Sequence, residues 1–198
     1  MDHKKNGSGW SRWYSQMQMK TRIAQLLLLS GLLAVACVTQ AQTPSASTPT
    51  GKQEKTVHFD DSSTATLVLQ ARGEGVQIYA CVKDADWAWK LKAPQATLFD
   101  HKHQAIGKHF GGPTWSLNDG SEVRGTLLDS KQQAGTIPWL ILAAKSIGGE
   151  GRLTRVNVVR RTETQGGVAP SGGCDAEHAG IEQRVPYSAT YSFFDTRD

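Results

Sequence analysis

From residue 65 onward the apolar positions recur every second residue in short runs. Ala65, Leu67 and Leu69 share one parity, as do Val76, Ile78 and Ala80, and Val156 with Val158. A period of two belongs to strands, whose successive side chains point to opposite faces. Turn-forming residues separate the runs: Gly73 with Gly75 predicts a tight turn, Asn118, Asp119 and Gly120 a hairpin, and Gly148, Gly149 and Gly151 the end of the run that starts at Ile137. Ile137 to Ala144 is almost wholly apolar, which predicts a central strand buried on both faces. Tyr187, Ala189, Tyr191 and Phe193 alternate with Ser188, Thr190 and Ser192, so the last strand has one aromatic, packed face and one hydroxylated face. No stretch of a dozen residues keeps a helical period without glycine or proline, and Ala176 to Glu182 is expected to make one turn. The pattern predicts an all-β fold: an antiparallel β-sandwich or barrel-like single domain with little helix.

The first 55 residues follow a different rule. Lys20 and Arg22 precede an apolar run from Ile23 to Cys37, and Thr39 and Ala41 are small residues at the positions a signal peptidase reads. Residues 1–41 therefore read as an upstream extension plus a signal peptide cut after Ala41, with Met19 as an alternative start. The apolar run is shorter than the roughly 20 residues of a spanning helix, so no transmembrane span is expected in the mature protein. Ala34, Val35 and Ala36 before Cys37 also compose a lipoprotein-like box, lacking the usual leucine three positions before the cysteine. Lipidation of Cys37 is thus the alternative to cleavage after Ala41. Residues 42–55, rich in Thr, Ser, Pro and Gln, read as a disordered tail or tether, and residues 56–198 as the single β-rich domain.

Removing the leader changes the charge picture. The chain carries 22 Lys plus Arg against 18 Asp plus Glu, but residues 1–41 hold five of the bases and one of the acids, leaving 17 of each. A balanced domain with interspersed signs has no electrostatic footprint for nucleic acid. Beyond residue 41, Arg160 and Arg161 form the only basic doublet, read as a solvated strand end. Of the three cysteines, Cys37 falls in the leader. Cys81 and Cys174 remain, each the other's simplest partner in an oxidising compartment. Their bridge would pin the glycine-rich loop Gly166 to Gly173 to the sheet.

The runs GVQIYAC (Gly75 to Cys81), IGKHFGGPTW (Ile106 to Trp115), DGSEVRG (Asp119 to Gly125), IPWLIL (Ile137 to Leu142), TQGGVAP (Thr164 to Pro170), Gly173 with Cys174, and VPYSATYSF (Val185 to Phe193) resemble, in this order, the family named domain of unknown function 3455, DUF3455. The resemblance spans nearly the whole mature part and implies an exported protein with one compact β-rich domain. It implies no activity and brings no catalytic set. The chain departs from the family pattern at Asp100 to Gln104, where DHKHQ stands in place of a glycine turn.

The densest chemistry lies from His109 to Trp115, with Asn118 and Asp119 close behind. A ring to stack on, an imidazole and a Gly-Gly-Pro bend suit a small-ligand or carbohydrate site formed by Trp115, His109 and Thr114; the same residues suit core packing. Trp87, sharing a strand face with Trp89 near Asp84 and Asp86, extends the ligand candidates. His101, His103 and His109, with Asp100, His58 or His178, could be combined as a metal site only by drawing on a hairpin tip, so no metal and no cofactor is expected. GxSxG, HExxH and the phosphate-binding glycine motifs are absent from the sequence. The expectation is an exported, noncatalytic small-ligand-binding or surface interaction domain. The alternative is an enzyme with His109 as acid or base and Asp119 as its orienting partner, which requires the two side chains to meet.

Overall fold

The computed structural model describes residues 55–197. Eight strands close into one antiparallel barrel in simple up-and-down order: β1 (Thr66–Lys83), β2 (Trp87–Phe99), β3 (Ala105–Phe110), β4 (Thr114–Leu117), β5 (Glu122–Lys131), β6 (Trp139–Gly148), β7 (Val158–Gly166) and β8 (Glu182–Asp195). The barrel form resolves the choice between sandwich and barrel, and closure pairs the first strand with the last, the edges an open sheet would expose. One short 3-10 helix, Ala176–His178, is the expected single turn, capped by the Asp175 carboxylate. Among the described residues no helix is long and apolar enough to cross a membrane. The leader, the cut after Ala41, Cys37 and the tail before Lys55 lie outside the described residues.

The last strand alternates as expected: Tyr187, Ala189, Tyr191 and Phe193 face a filled interior with Leu98, Trp115, Val123, Leu142 and Val159. The Asn118 to Gly120 turn joins β4 to β5, with Gly120 at a φ of 90°. Ile137 to Ala144 enters β6, where inward Leu142 and outward Ile141 are both buried.

One expectation is corrected on β1. Gly73 and Gly75 do not turn the chain; β1 runs straight through them. A Cβ on Gly73 would stand 2.5 Å from the Tyr191 ring, and one on Gly75 would stand 2.1 Å from the Gln95 carbonyl oxygen, so close approach requires these glycines. The buried parity is also the opposite of the most apolar one: Ala71, Gln77, Tyr79 and Cys81 face inward, while Val76, Ile78 and Ala80 are half-buried on the outer wall.

An outer strap explains why both faces of β6 and β8 are covered. Residues 55–63 lie along the wall, where the Arg160 guanidinium donates to the carbonyls of His58 and Asp60 at 2.8 and 2.7 Å. Phe59 packs near Trp139, and Arg160 also sits over the Phe194 ring.

Strand lengths leave the wall uneven. β2 pairs with β1 from Trp87 to Phe99 but with β3 only from Ala96 onward. β5 pairs with β6 from Glu122 to Lys131 but with β4 only from Glu122 to Arg124. The short β3–β4 hairpin thus closes one half of the barrel. Beyond its tip no strand stands between Trp87–Gln95 of β2 and Thr126–Lys131 of β5, and the wall is notched there.

Candidate functional site

The notched end is also the end that carries the disulfide. Cys81 closes β1 and bonds to Cys174 in the long β7–β8 loop, with the Cα atoms 5.3 Å apart. That loop is tied down at further points: Gly167 O accepts from Tyr79 Oη at 2.6 Å, Gly172 O accepts from Trp89 Nε1 at 2.8 Å, and Gly180 N donates to Cys81 O. Its Gly167 is buried against Tyr187, Ile137 and Gln77. The bridge and the glycine-rich cap agree with the expected clamp, and a disulfide is compatible with an exported protein.

Behind this cap the barrel interior also holds polar side chains. Tyr187 and Tyr191 share a hydrogen bond between their hydroxyls at 3.1 Å, and burial raises the pKa of both. His109 is 2% exposed, stacks on Trp115 at 4.6 Å between ring centroids and tilts against Tyr191 at 5.0 Å. Its Nδ1 lies 2.8 Å from the Thr114 carbonyl, an acceptor only, so Nδ1 carries the proton. Burial lowers its pKa to about 4, more than the Thr114 bond restores, and the Arg161 charge lowers it further. The ring is therefore neutral at pH 7, with Nε2 a bare acceptor. Two atoms in this interior have no hydrogen-bond partner: the Gln77 Oε1 acceptor and the Trp115 Nε1 donor, on residues each 1% exposed. Such buried groups are costly to leave unpaired.

Arg161 enters from β7. It pairs with Tyr191 of β8 and Leu140 of β6, and directly opposed residues in an antiparallel ladder point to the same face. Arg161 therefore shares the inner face with Tyr191, and the reading of the doublet as a solvated strand end holds for neither arginine: Arg160 braces the strap and Arg161 goes inside. Nε and Nη2 both donate to Pro138 O, at 3.1 and 2.8 Å. Its charge acts on Tyr79, His109, Tyr187 and Tyr191 alike. The ion pairs among the described residues include none with Arg161. Leu127, opposite Leu142 in the ladder, also has inward parity, yet is 56% exposed because it borders the notch. Solvent thus reaches the interior face at the row of Leu127 and Leu142.

The residues singled out in the sequence fall as follows. Trp115, His109 and Thr114 are together, but within the barrel and its wall, at 1%, 2% and 0% exposure. The outer groove that borders His109, about 470 Å³, is lined by Glu74, Gln95, Lys108, Phe110 and Arg184. Asp119 is not brought to His109. It accepts hydrogen bonds in its own turn from Ser121 N and Oγ and, across the barrel rim, from Arg152 N. Partial burial opposes its ionisation, but these bonds outweigh it and hold its pKa at about 2. A general base needs hydrogen-bond reach to its orienting partner, and His109 spends its protonated nitrogen on Thr114 instead. Trp87 is half-buried near the mouth, with Lys83 over its ring at 5.8 Å. His101 and His103 sit on the β2–β3 turn, where Asp100 Oδ1 accepts from Lys102 N and Gln104 N and His103 stacks on Phe99. Among the described residues no three His, Cys, Asp or Glu side chains group as a metal site.

Arg161, Gln77, Tyr79 and the Tyr187–Tyr191 pair were not among the site candidates read from the sequence. The signal that could have found them is parity: each lies on the buried side of its strand.

Compared with the curated proteins and with the solved structures, the chain matches none of either. Among protein families, one model matches residues 62–195, which takes in all eight strands and both disulfide cysteines. The chain belongs to that family, the proteins of unknown function DUF3455.

Proposed function

We propose that this protein is an exported, noncatalytic binding domain that takes one small ligand at the notched, disulfide-capped mouth of its barrel. An eight-stranded barrel is just wide enough to be filled by side chains or to hold one small molecule at its mouth. The observation that carries the reading is the pair of unpartnered buried atoms, Gln77 Oε1 and Trp115 Nε1, in an interior that opens at Leu127. A ligand or its water would complete those hydrogen bonds. Export is supported by the leader pattern and the disulfide.

The test is a thermal-shift screen of the purified protein against small acids, sugars, amines and metal salts. Compounds that raise the melting temperature are then assayed on Gln77→Met, which removes the orphan acceptor at similar volume. The expected result is at least one hit that weakens in the variant. A panel without hits, or hits indifferent to Gln77→Met, Arg161→Gln and Trp115→Phe alike, refutes the reading. For export, the mass of the protein recovered outside the cytoplasm is expected to begin at Gln42, or at an acylated Cys37; an uncleaved chain retaining Met19 overturns it.

A further inference from the structure

Arg161 is a cation on the inner face of a barrel, opposite Tyr191 and beside Leu140, with one carbonyl oxygen taking both Nε and Nη2. That bond uses one edge of the guanidinium. The guanidinium also bonds the neutral Tyr191 hydroxyl, and its edge formed by Nη1 and the second Nη2 hydrogen carries two parallel N–H groups, the geometry that clasps a carboxylate through two oxygens. The groups around it are phenols and a neutral imidazole, none of which carries a negative charge at pH 7. A part-buried guanidinium in such surroundings is electrostatically unpaired, and an incoming anion gains more there than at the open surface. The wall is missing between β2 and β5, and there Leu127, one inward row from Arg161 in the ladder, lies exposed on the inner face. Leu91 of β2, across the notch, is likewise 56% exposed. An anion entering by the notch would therefore pass between two leucines.

The edges of the notch are built against strand addition. Pro94, Lys90 and Lys92 interrupt the β2 edge, and β5 bulges between Leu127 and Asp129. The opening is thus suited to a small solute rather than to an extended peptide.

Resting on the mouth-binding reading above, we propose that the ligand is a small monocarboxylate with an apolar body. Arg161 clasps the carboxylate, and Leu127 and Leu91 contact the apolar part.

The test compares benzoate and hexanoate with benzamide and hexanamide, uncharged molecules of matching shape, by calorimetric titration of the full protein at pH 7. The expected result is carboxylate binding at least about tenfold tighter than amide binding, the range of one charge-assisted contact. Arg161→Gln should abolish that preference and Arg161→Lys should keep part of it. Leu127→Asp sets a like charge at an exposed position without disturbing the core, and should weaken the acids while sparing the amides. Equal binding of acids and amides, or a preference that survives Arg161→Gln in a folded variant, overturns the carboxylate assignment and leaves mouth binding standing. Sugars or amines binding at Gln77 while both acids fail also overturns it. Failure of every compound class refutes the mouth-binding reading itself.

Discussion

Acid should weaken this fold through one residue before it reaches any carboxylate. His109 is neutral and buried, with a pKa lowered from 6.5 to about 4 by burial, which outweighs the opposing Thr114 carbonyl bond, and to a lesser degree by the Arg161 charge. In the unfolded chain the same imidazole titrates near its ordinary value, so between about pH 6.5 and pH 4 the unfolded state binds the extra proton. Stability therefore falls as pH falls across that window and levels off below it. With these two pKa values the loss attributable to His109 is about 2 kcal/mol by pH 5 and about 3 kcal/mol by pH 4. Asp119 and Asp195, both held at about 2, lose their contributions only below the ordinary carboxylate range, so the two effects separate on the pH axis. The assay is urea denaturation at half-unit steps from pH 7.5 to 4, on the wild type and on His109→Phe. Phenylalanine keeps a ring against Trp115 and Tyr191 but cannot titrate. The variant is expected to be less stable at pH 7, because the Thr114 oxygen loses its side-chain partner, and to lack the wild-type slope. Parallel profiles for the two proteins between pH 6.5 and 4.5 would show that His109 is not held neutral in the folded state.

Two further outcomes follow from the wall and the cap. The Cys81–Cys174 bridge joins residues 93 positions apart, for which the chain-entropy account gives about 4–5 kcal/mol; denaturation with and without reductant should differ by that order, and identical midpoints would mean the bridge is absent. Gly73→Ala drives a methyl to within 2.5 Å of the Tyr191 ring and should cost about 1–3 kcal/mol, read as a fall in melting temperature with the near-ultraviolet tyrosine signal altered; an unchanged melt would mean β1 and β8 are not packed at this register.

Period-two alternation was enough to show the fold class, and the aromatic face of Tyr187 to Phe193 was legible as the face that packs. The disulfide was legible from the number of cysteines left beyond the leader. Closure was not, because a barrel and a sandwich make the same demands on each strand and differ only in whether the first strand meets the last. Here β1 meets β8 from Thr66 to Ala80. The glycines of β1 misled for a related reason. Glycine serves turns through positive φ and close packing through its missing side chain, and in sequence the two uses look alike.

The site was hidden in part by the assignment of the arginine doublet to solvent. Once a segment is a strand of a closed barrel, two adjacent residues cannot both point outward, so one member of the Arg160–Arg161 doublet has to face inward. Arg160 satisfies its charge on the outer wall with two strap carbonyls and the Phe194 ring. Arg161 is left on the inner face with Tyr191, and the same alternation puts Gln77 inside while Val76 and Ile78 stay out. An apolar residue on the outer face costs little, since much of any protein surface is apolar, whereas an inward arginine and glutamine cost stability unless something pairs with them. The arginine doublet that the sequence reading set aside as solvated therefore carries part of the chemistry, and a cation on the inner face of β7, in a barrel whose wall is notched between β2 and β5, is what makes the mouth of the barrel, rather than its grooves, the place to look for a ligand.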